Sequence, residues 1–171
     1  MNATTEERAA NDLGTGYTAA LEGFAESLPE LDPLYRQHYA EMSERLAASG
    51  VKASPYKPRF DRYEAASRGG WLLTYVLRHQ GTAVGYSNVY LTNDMHNGDL
   101  IAQEDTIFVI KEHRRGVGRR LMVAIHGDLA ARGVKRINVT TATDNRVATL
   151  LSRMGYKTMA IAMTLDLTAG E

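Results

Sequence analysis

The sequence predicts a mixed α/β fold, in which helices flank a twisted, mostly antiparallel β-sheet that contains one parallel strand pair. From residue 71 the sequence changes to the period of two that strands have, and two further strand-like segments, separated by short turns, follow up to residue 110. Beyond them, a helical segment lies between two further strand-like segments. A strand–helix–strand step places its two strands in parallel, and ligands favour the point in such a sheet where strand direction changes.

The length and net charge of the chain indicate how many domains it has and which partners it is unsuited to attract. A chain of 171 residues suits one domain with a sizeable core. We expect residues 1–25 to form a flexible or frayed N-terminal arm, because they show little periodicity, and residues 26–171 to form a single domain. Twenty basic and twenty acidic residues cancel, so no overall field attracts nucleic acid or an anionic membrane.

Residue usage excludes several kinds of site. The lack of cysteine excludes disulfides, thiolate metal sites and a cysteine nucleophile. The five histidines have no metal-site spacing, so no metal is predicted. No segment reaches the ~18 apolar residues of a membrane span, and residues 1–17 lack the apolar core of a signal peptide. We therefore expect a soluble, cytoplasmic protein without nucleic-acid or membrane partners; a homodimer is compatible with the sequence.

Two helices are predicted before the strands. Asp32 can cap a helix start, and Pro33 fits the first turn because no backbone donor is needed there. Apolar residues then recur at helical spacing up to Gly50, which is a typical stop. After a proline-containing loop, a short helix is expected over residues 60–67.

The remaining elements follow from changes of period and from glycine-rich turns. The predicted elements are strands at 71–78, 82–91 and 100–110, a helix at 118–132, a strand at 134–141, a helix at 145–154 and a strand at 158–167. The first three strands, joined by short turns, should form an antiparallel meander.

Residues 104–120 are the most informative segment of the chain. An apolar strand leads into a charged turn with Arg114 and Arg115, and Gly116-Val117-Gly118 then opens an amphipathic helix that also carries Arg119 and Arg120. Backbone N–H groups at a helix start bind anions, and glycine lets a ligand approach closely. This order predicts a site for a phosphate or pyrophosphate.

The same order resembles the acetyl-CoA-binding signature of the GNAT N-acetyltransferases, Arg/Gln-x-x-Gly-x-Gly/Ala after the fourth strand. The resemblance covers roughly residues 71–168. Arg114 lies two residues before Gly116 rather than three, so the turn is one residue short, similar to a compact variant in some phage-encoded members. The resemblance implies the GNAT fold, in which two central strands splay apart around the pantetheine.

The resemblance also implies acetyl-CoA as co-substrate and an amine as acceptor. Amides of residues 116–118 would bind the pyrophosphate, and the four arginines would add positive charge. The main chain of the preceding strand would pair with the pantetheine, and Asn145 would join the cofactor site. The matching strand residues are Phe108, Val109 and Ile110. The alternative for the arginines is a solvated basic face on the helix.

Two adjacent carboxylates are the catalytic candidates. Glu104 matches the strand position where many family members carry a general base, and Asp105, on the opposite face of the strand, is the second candidate. A primary amine has a pKa near ~10.4, so a partly buried carboxylate with a raised pKa could accept its proton. The alternative is that these carboxylates pair with an arginine or cap a bulge.

Residues 144–156 resemble the second family signature, Asn-x-x-Ala-x-x-Leu-Tyr-x-Lys-x-Gly-Phe. Asp144 takes the asparagine position, with Asn145 one residue later, and Leu151 takes the position of the tyrosine that usually reprotonates the coenzyme A thiolate. Leucine cannot donate a proton. Two functions therefore stay open: an N-acetyltransferase working by direct amine attack, or a catalytically weak or inactive module that binds acyl-CoA or a protein.

The acceptor is expected to enter beside residues 35–44, 51–67 and 93–98, where acidic side chains could attract an amine. A small amine, an antibiotic, a peptide N-terminus and a protein lysine all remain open as acceptors.

Overall fold

A computed structural model of the chain describes residues 10–141 and 145–160. The chain divides into two compact units, Met1–Val139 and Thr140–Glu171. The first contains β1 (Asn11–Gly14), β2 (Tyr17–Glu22), α1 (Phe24–Ala48), α2 (Phe60–Arg68), β3 (Leu72–His79), β4 (Thr82–Asn93), β5 (Leu100–Val109), a single 3₁₀ turn (Lys111–His113), α3 (Val117–Ala131) and β6 (Arg136–Asn138). In the second unit the described helix is α4 (Asn145–Arg153).

The strands form one sheet in sequence order, from β1 to β6. All neighbours are antiparallel except β5 and β6, which are parallel. The predicted fold class, a mostly antiparallel mixed sheet with flanking helices and one parallel pair, is therefore confirmed.

Both faces of the sheet are covered, which divides the core into two clusters. On one side, here called the α3 face, sheet residues such as Leu77 and Val89 pack with Leu121, Ile125 and Leu129 of α3. On the other, the α1–α2 face, sheet residues pack with α1 and α2. Its most buried members include Phe24, Leu31, Val76 and Tyr86.

Helix α1 begins at Phe24, so the predicted start at Asp32 is wrong. Pro29 and Pro33 lie inside the helix, although an interior proline removes a hydrogen bond and costs about 3 kcal/mol. Burial of Phe24 and Leu31 offsets this cost, since a fully buried large apolar side chain contributes about 1.5–3 kcal/mol. Asp32 instead accepts a hydrogen bond from Arg36 one turn later, at 3.0 Å.

Residues 11–22 form a β-hairpin, so for them the expectation of a mobile arm is wrong. The turn has three consecutive residues with positive φ, Gly14, Thr15 and Gly16, and two of these are glycines that tolerate this conformation. Strand β2 then pairs with β3 from Tyr17 opposite His79 to Glu22 opposite Thr74. Arg120 of α3 holds the hairpin, because its Nη1 donates to the Leu13 carbonyl at 2.7 Å and its guanidinium lies 5.4 Å from the centre of the Tyr17 ring.

The last predicted strands differ from the structure. The strand expected at 134–141 is reduced to Arg136–Asn138, which pairs with only Ile101–Gln103 of β5. Residues 158–160 belong to no regular element, and the rest of the strand predicted at 158–167 lies outside the described residues. Within the described part of the chain, no helix is long and apolar enough to span a membrane.

Replacing Arg120 by alanine should loosen the hairpin. Loss of the bond to the Leu13 carbonyl should lower the free energy of unfolding by about 1 kcal/mol and speed amide hydrogen exchange in residues 13–17. Arg119→Ala is the matched control, since this neighbour on α3 is exposed, and its effect should stay within about 0.5 kcal/mol. Equal effects of the two variants on exchange would contradict the role given to Arg120.

Candidate functional site

The start of α3 presents backbone donors to open space. Gly116 precedes the helix with a φ of 80°, a left-handed conformation that glycine adopts readily. Its own N–H is already bonded to the Arg114 carbonyl at 2.6 Å. The next three N–H groups, of Val117, Gly118 and Arg119, have no acceptor among the described residues. A Cβ built on Gly116 or Gly118 would meet no atom within 4 Å, so an anion could reach these donors.

The four arginines predicted to surround this helix start fall into two pairs. Arg115 and Arg119 are exposed, and neither side chain has a hydrogen-bond or ion-pair partner among the residues that the structure describes. Arg120 is bound to the hairpin, and Arg114 is bound to α1. The positive charge free to meet an anion therefore comes from Arg115 and Arg119.

Arg114 connects the end of β5 to α1. Its Nε donates to the Val109 carbonyl at 2.7 Å, and its Nη2 contacts both carboxylate oxygens of Glu41 at 2.8 and 2.6 Å. The guanidinium also lies 5.5 Å from the centre of the Phe108 ring. This arrangement fixes the end of β5. The sequence analysis, in contrast, predicted that Arg114 contributes positive charge to the phosphate site.

Beside this turn, one edge of β5 has no strand partner among the described residues, and this edge is called the open edge. Pairing with β6 ends at Gln103, whereas pairing with β4 continues to Val109. Alternate residues of an antiparallel strand direct their backbone groups to opposite edges. Ile110 donates to the Val84 carbonyl at 3.0 Å and so faces β4. Ile107 and Val109 consequently face the open edge, while Phe108, also predicted to contact the cofactor, shares the β4 side with Ile110.

A β-bulge separates the two candidate carboxylates. Asn88 pairs with Thr106 and Val89 with Glu104, so Asp105 is an extra residue on β5. Glu104 lies opposite Val89, a member of the α3-face core, whereas Asp105 accepts a hydrogen bond from Tyr63 of α2 at 2.9 Å. The two carboxylates therefore lie on opposite faces of the sheet. Neither is paired with an arginine within the described ranges.

Burial changes the acidity of both groups. Desolvation, together with the nearby charge of Asp105, raises the pKa of Glu104 to about 7. Desolvation also raises the pKa of Asp105, which the hydrogen bond from Tyr63 opposes. The Glu104 carboxylate has no hydrogen-bond partner in the described part of the chain, so it is available to a ligand or a water molecule.

A cavity of about 350 Å³ lies on the α1–α2 face. Six aromatic rings line it: Tyr35, Tyr39, Tyr56, Phe60, Tyr63 and Tyr86. Two of the segments predicted at the acceptor side, 35–44 and 51–67, contribute to the lining, and the 93–98 turn does not. The aromatic residues spaced along 35–63 were a signal for this cavity, but sequence spacing alone did not show that Thr106 and Tyr86 of the sheet would complete it.

His38 forms part of this wall. Its Nδ1 lies 2.7 Å from the Tyr86 hydroxyl, and its ring stacks on Phe108 at a centroid distance of 4.9 Å. Burial lowers the pKa of His38 to about 4, and the positive charges of Arg45 and Arg114 act in the same direction. The imidazole is therefore neutral at pH 7.

In the second unit, Leu151 is a buried residue of α4. Asn145 begins this helix, but its side chain, like the whole of Asp144, lies outside the described part of the structure. The predicted cofactor role of Asn145 remains a prediction.

A family model described as the acetyltransferase (GNAT) family matches residues 31–156. No curated protein matches the chain. Among solved structures, a mutant of the BH1408 protein from Bacillus halodurans superposes with a TM-score of 0.71 at 17% identity, covering 87% of this chain and 98% of that one.

Two structures with named activities are also similar. A ribosomal-protein-alanine N-acetyltransferase from Brucella melitensis biovar Abortus 2308 has a TM-score of 0.65 at 16% identity, covering 87% of this chain and 99% of that one. An aminoglycoside acetyltransferase from an uncultured soil metagenomic sample, in complex with sisomicin, has a TM-score of 0.68 at 14% identity, covering 92% and 100%. At such identities these structures support the fold alone.

Glu104→Gln should change the pH dependence of stability. Because the pKa of Glu104 is raised from 4.5 to about 7, the folded state binds the proton more tightly than the unfolded state, and stability is lost as pH rises between these values. The full effect is on the order of 3 kcal/mol. Urea unfolding should therefore show the variant gaining stability relative to the parent between pH 5 and pH 8.

The exposed Glu112 provides the control, and Glu112→Gln should leave this pH dependence unchanged. A parallel pH profile for Glu104→Gln and the parent protein would contradict a raised pKa at Glu104.

Proposed function

The chain belongs to the acetyltransferase (GNAT) family, and we propose that it is an N-acetyltransferase that moves an acetyl group from acetyl-CoA to an amine by direct attack. The observation that carries this proposal is the start of α3, where three N–H groups and the side chains of two arginines have no partner in the described part of the chain. This chemistry suits a diphosphate, which acetyl-CoA supplies together with its thioester.

The residues of the first unit fit the co-substrate in two places. Val117, Gly118 and Arg119 would donate their N–H groups to the diphosphate, with Arg115 and Arg119 adding charge. Gly116 contributes the turn and the open space rather than its own N–H, which Arg114 already binds. The open edge of β5 would pair with the pantetheine through Ile107 and the N–H of Val109, because the Val109 carbonyl is bound by Arg114.

Glu104 is the proposed general base. The acceptor nitrogen attacks the thioester carbonyl, the C–N bond forms, the C–S bond breaks, and the amine proton passes to the carboxylate directly or through water. A carboxylate with a pKa of about 7 is well matched to this task near neutral pH. Asp105 is the second candidate, since it shares the face of the sheet on which the aromatic cavity lies.

Leu151 supports the alternative proposal, an acyl-CoA-binding or protein-binding module with little or no catalysis. It provides no hydroxyl to protonate the departing thiolate. A thiol with a pKa near ~8.5 is nevertheless a tolerable leaving group in water, so turnover does not require this tyrosine. Titration calorimetry with acetyl-CoA and a thiol-release assay over a panel of amines separate the two: binding with amine-dependent thiol release supports the enzyme, and binding without release on any amine supports the module.

Gly118→Val should weaken acetyl-CoA binding by about 10-fold or more, because its side chain would occupy the space above the free N–H groups. Gly127→Val is the matched control, since this glycine lies on the same helix and its Cβ also meets nothing within 4 Å. Titration calorimetry measures both affinities, and circular dichroism checks the helix. Equal affinities in the two variants would place the diphosphate elsewhere.

Glu104→Gln should lower kcat/KM by about 100-fold near pH 7.5 and by much less near pH 10, where the amine loses its proton unaided. In the parent enzyme, kcat/KM should rise as pH increases through about 7, when Glu104 becomes charged. Asp105→Asn, measured in the same thiol-release assay, should have the smaller effect. If kcat/KM of Glu104→Gln fell equally at all pH values, or if Asp105→Asn lowered kcat/KM more, Glu104 would not be the general base.

A further inference from the structure

We propose that the cavity on the α1–α2 face binds the acceptor, and that the acceptor is a primary amine carrying an aromatic ring. This inference rests on the proposed transferase function and adds the chemical class of its substrate. The cavity volume of about 350 Å³ is at the lower end of the ~300–1,000 Å³ typical of small-molecule sites. It therefore suits a small ring rather than a large oligosaccharide.

The lining favours an aromatic ligand. Rings of α1, the following loop and α2 surround the space, and Tyr35 is in contact with both Phe60 and Tyr86, at centroid distances of 5.5 and 4.3 Å. Aromatic rings that pack at such distances stabilise one another beyond the effect of buried area. A further ring in the cavity would find partners on several sides.

The charges of the lining disfavour a ligand with several positive charges. The described residues that line this cavity include Lys57 and Arg59 but no aspartate or glutamate. Arg59 is paired with Asp61 at 2.7 Å, but Lys57 has no partner within residues 10–141 and 145–160. His38 is neutral at pH 7, so it adds no charge. A polyamine or an aminoglycoside would bring several ammonium groups into a space whose described lining contains no carboxylate and beside which Asp105, bonded to Tyr63, offers a single one.

Two hydroxyl groups of the lining are buried without a hydrogen-bond partner in the described chain, Thr106 Oγ1 and Tyr56 Oη. A buried hydroxyl without a partner costs stability, so such groups point to a ligand that completes them. Thr106 belongs to β5, immediately after the bulge and on the strand whose open edge would receive the pantetheine. We assign the Thr106 hydroxyl as the acceptor of a hydrogen bond from the substrate amine, and the rings of α1 and α2 as the site of its aromatic group.

The experiment compares 2-phenylethylamine, ethylamine, spermidine and sisomicin as acceptors of the full-length protein. Burial of a phenyl ring should raise kcat/KM for 2-phenylethylamine about 10-fold or more above that for ethylamine, and above both polycations. Saturation-transfer NMR detects contact of the phenyl protons with the protein without any turnover. Thr106→Val, which keeps the shape but removes the hydroxyl, should lower kcat/KM for 2-phenylethylamine about 5-fold without lowering the melting temperature.

Met42→Trp fills the cavity from α1 and should abolish the phenyl signal, whereas Met95→Trp, at an exposed turn, should preserve it. If Met42→Trp does not fold, the isosteric Thr106→Val variant and the comparison of the four amines still test whether the acceptor is an aromatic amine bound in this cavity. Turnover of spermidine or sisomicin in preference to 2-phenylethylamine overturns the substrate class while supporting the transferase. A phenyl signal that Met42→Trp abolishes, with no turnover of any amine, overturns the transferase and supports the cavity. A phenyl signal that is absent, or unchanged in Met42→Trp, overturns the cavity assignment.

Discussion

Strand β5 loses its neighbour on one side after Gln103, while on the other side it stays paired with β4 and carries one extra residue, Asp105. The end of pairing leaves backbone groups of Ile107 and Val109 without a strand partner in residues 10–141 and 145–160. The bulge places Glu104 and Asp105 on opposite faces of the sheet. This one strand positions the two carboxylates and the unpaired backbone groups, and the turn that follows it leads into α3 and its N–H groups.

Arg114 stabilises the end of β5 next to the candidate site. A strand end without a neighbour exposes polar backbone groups, and Arg114 satisfies one of them, the Val109 carbonyl, while its other side is held by Glu41 of α1. Arg120 does the same for the Leu13 carbonyl of the hairpin. Both side chains bind main-chain carbonyls, Arg114 one that is five residues away and Arg120 one on the distant hairpin. The other two arginines, Arg115 and Arg119, are the ones beside the helix start.

Patterns with a local cause could be predicted from the sequence. The three central strands, the helix after Gly116 and the parallel step follow from the period of apolar residues and from glycines, and they occur within a few residues of their predicted places. The errors arose where distant contacts outweigh local preference. Helix α1 runs through two prolines because Phe24 and Leu31 are buried against the sheet. The hairpin at 11–22 is held by β3 and by Arg120, neither of which is near it in sequence.

The same limit applies inside the candidate site. Sequence showed that glycines and arginines cluster at residues 114–120, but which donors are free depends on partners such as Glu41 and the Leu13 carbonyl, which spacing does not reveal. Likewise, two adjacent carboxylates were expected on opposite faces, yet the bulge that makes Asp105 the extra residue appears only in the register of β4 and β5. Local chemistry therefore indicated the location of the site, and tertiary contacts decided the roles of individual side chains.

The distribution of charge explains how one strand could bring two different reactants together. Near the aromatic cavity, the carboxylates of Glu41 and Asp61 are each neutralised by an arginine, Arg114 and Arg59. The carboxylates of β5 that lack a cationic partner in the described chain are those at the bulge, Glu104 and Asp105. A monoamine with an apolar body would thus bury that body among the rings, while its single charge is attracted only toward β5. Since the proposed diphosphate site lies at the other end of the same strand, amine and thioester would meet beside β5. Glu104, whose pKa is raised to about 7, lies on the opposite face from the cavity, so the amine proton would reach it through water rather than directly.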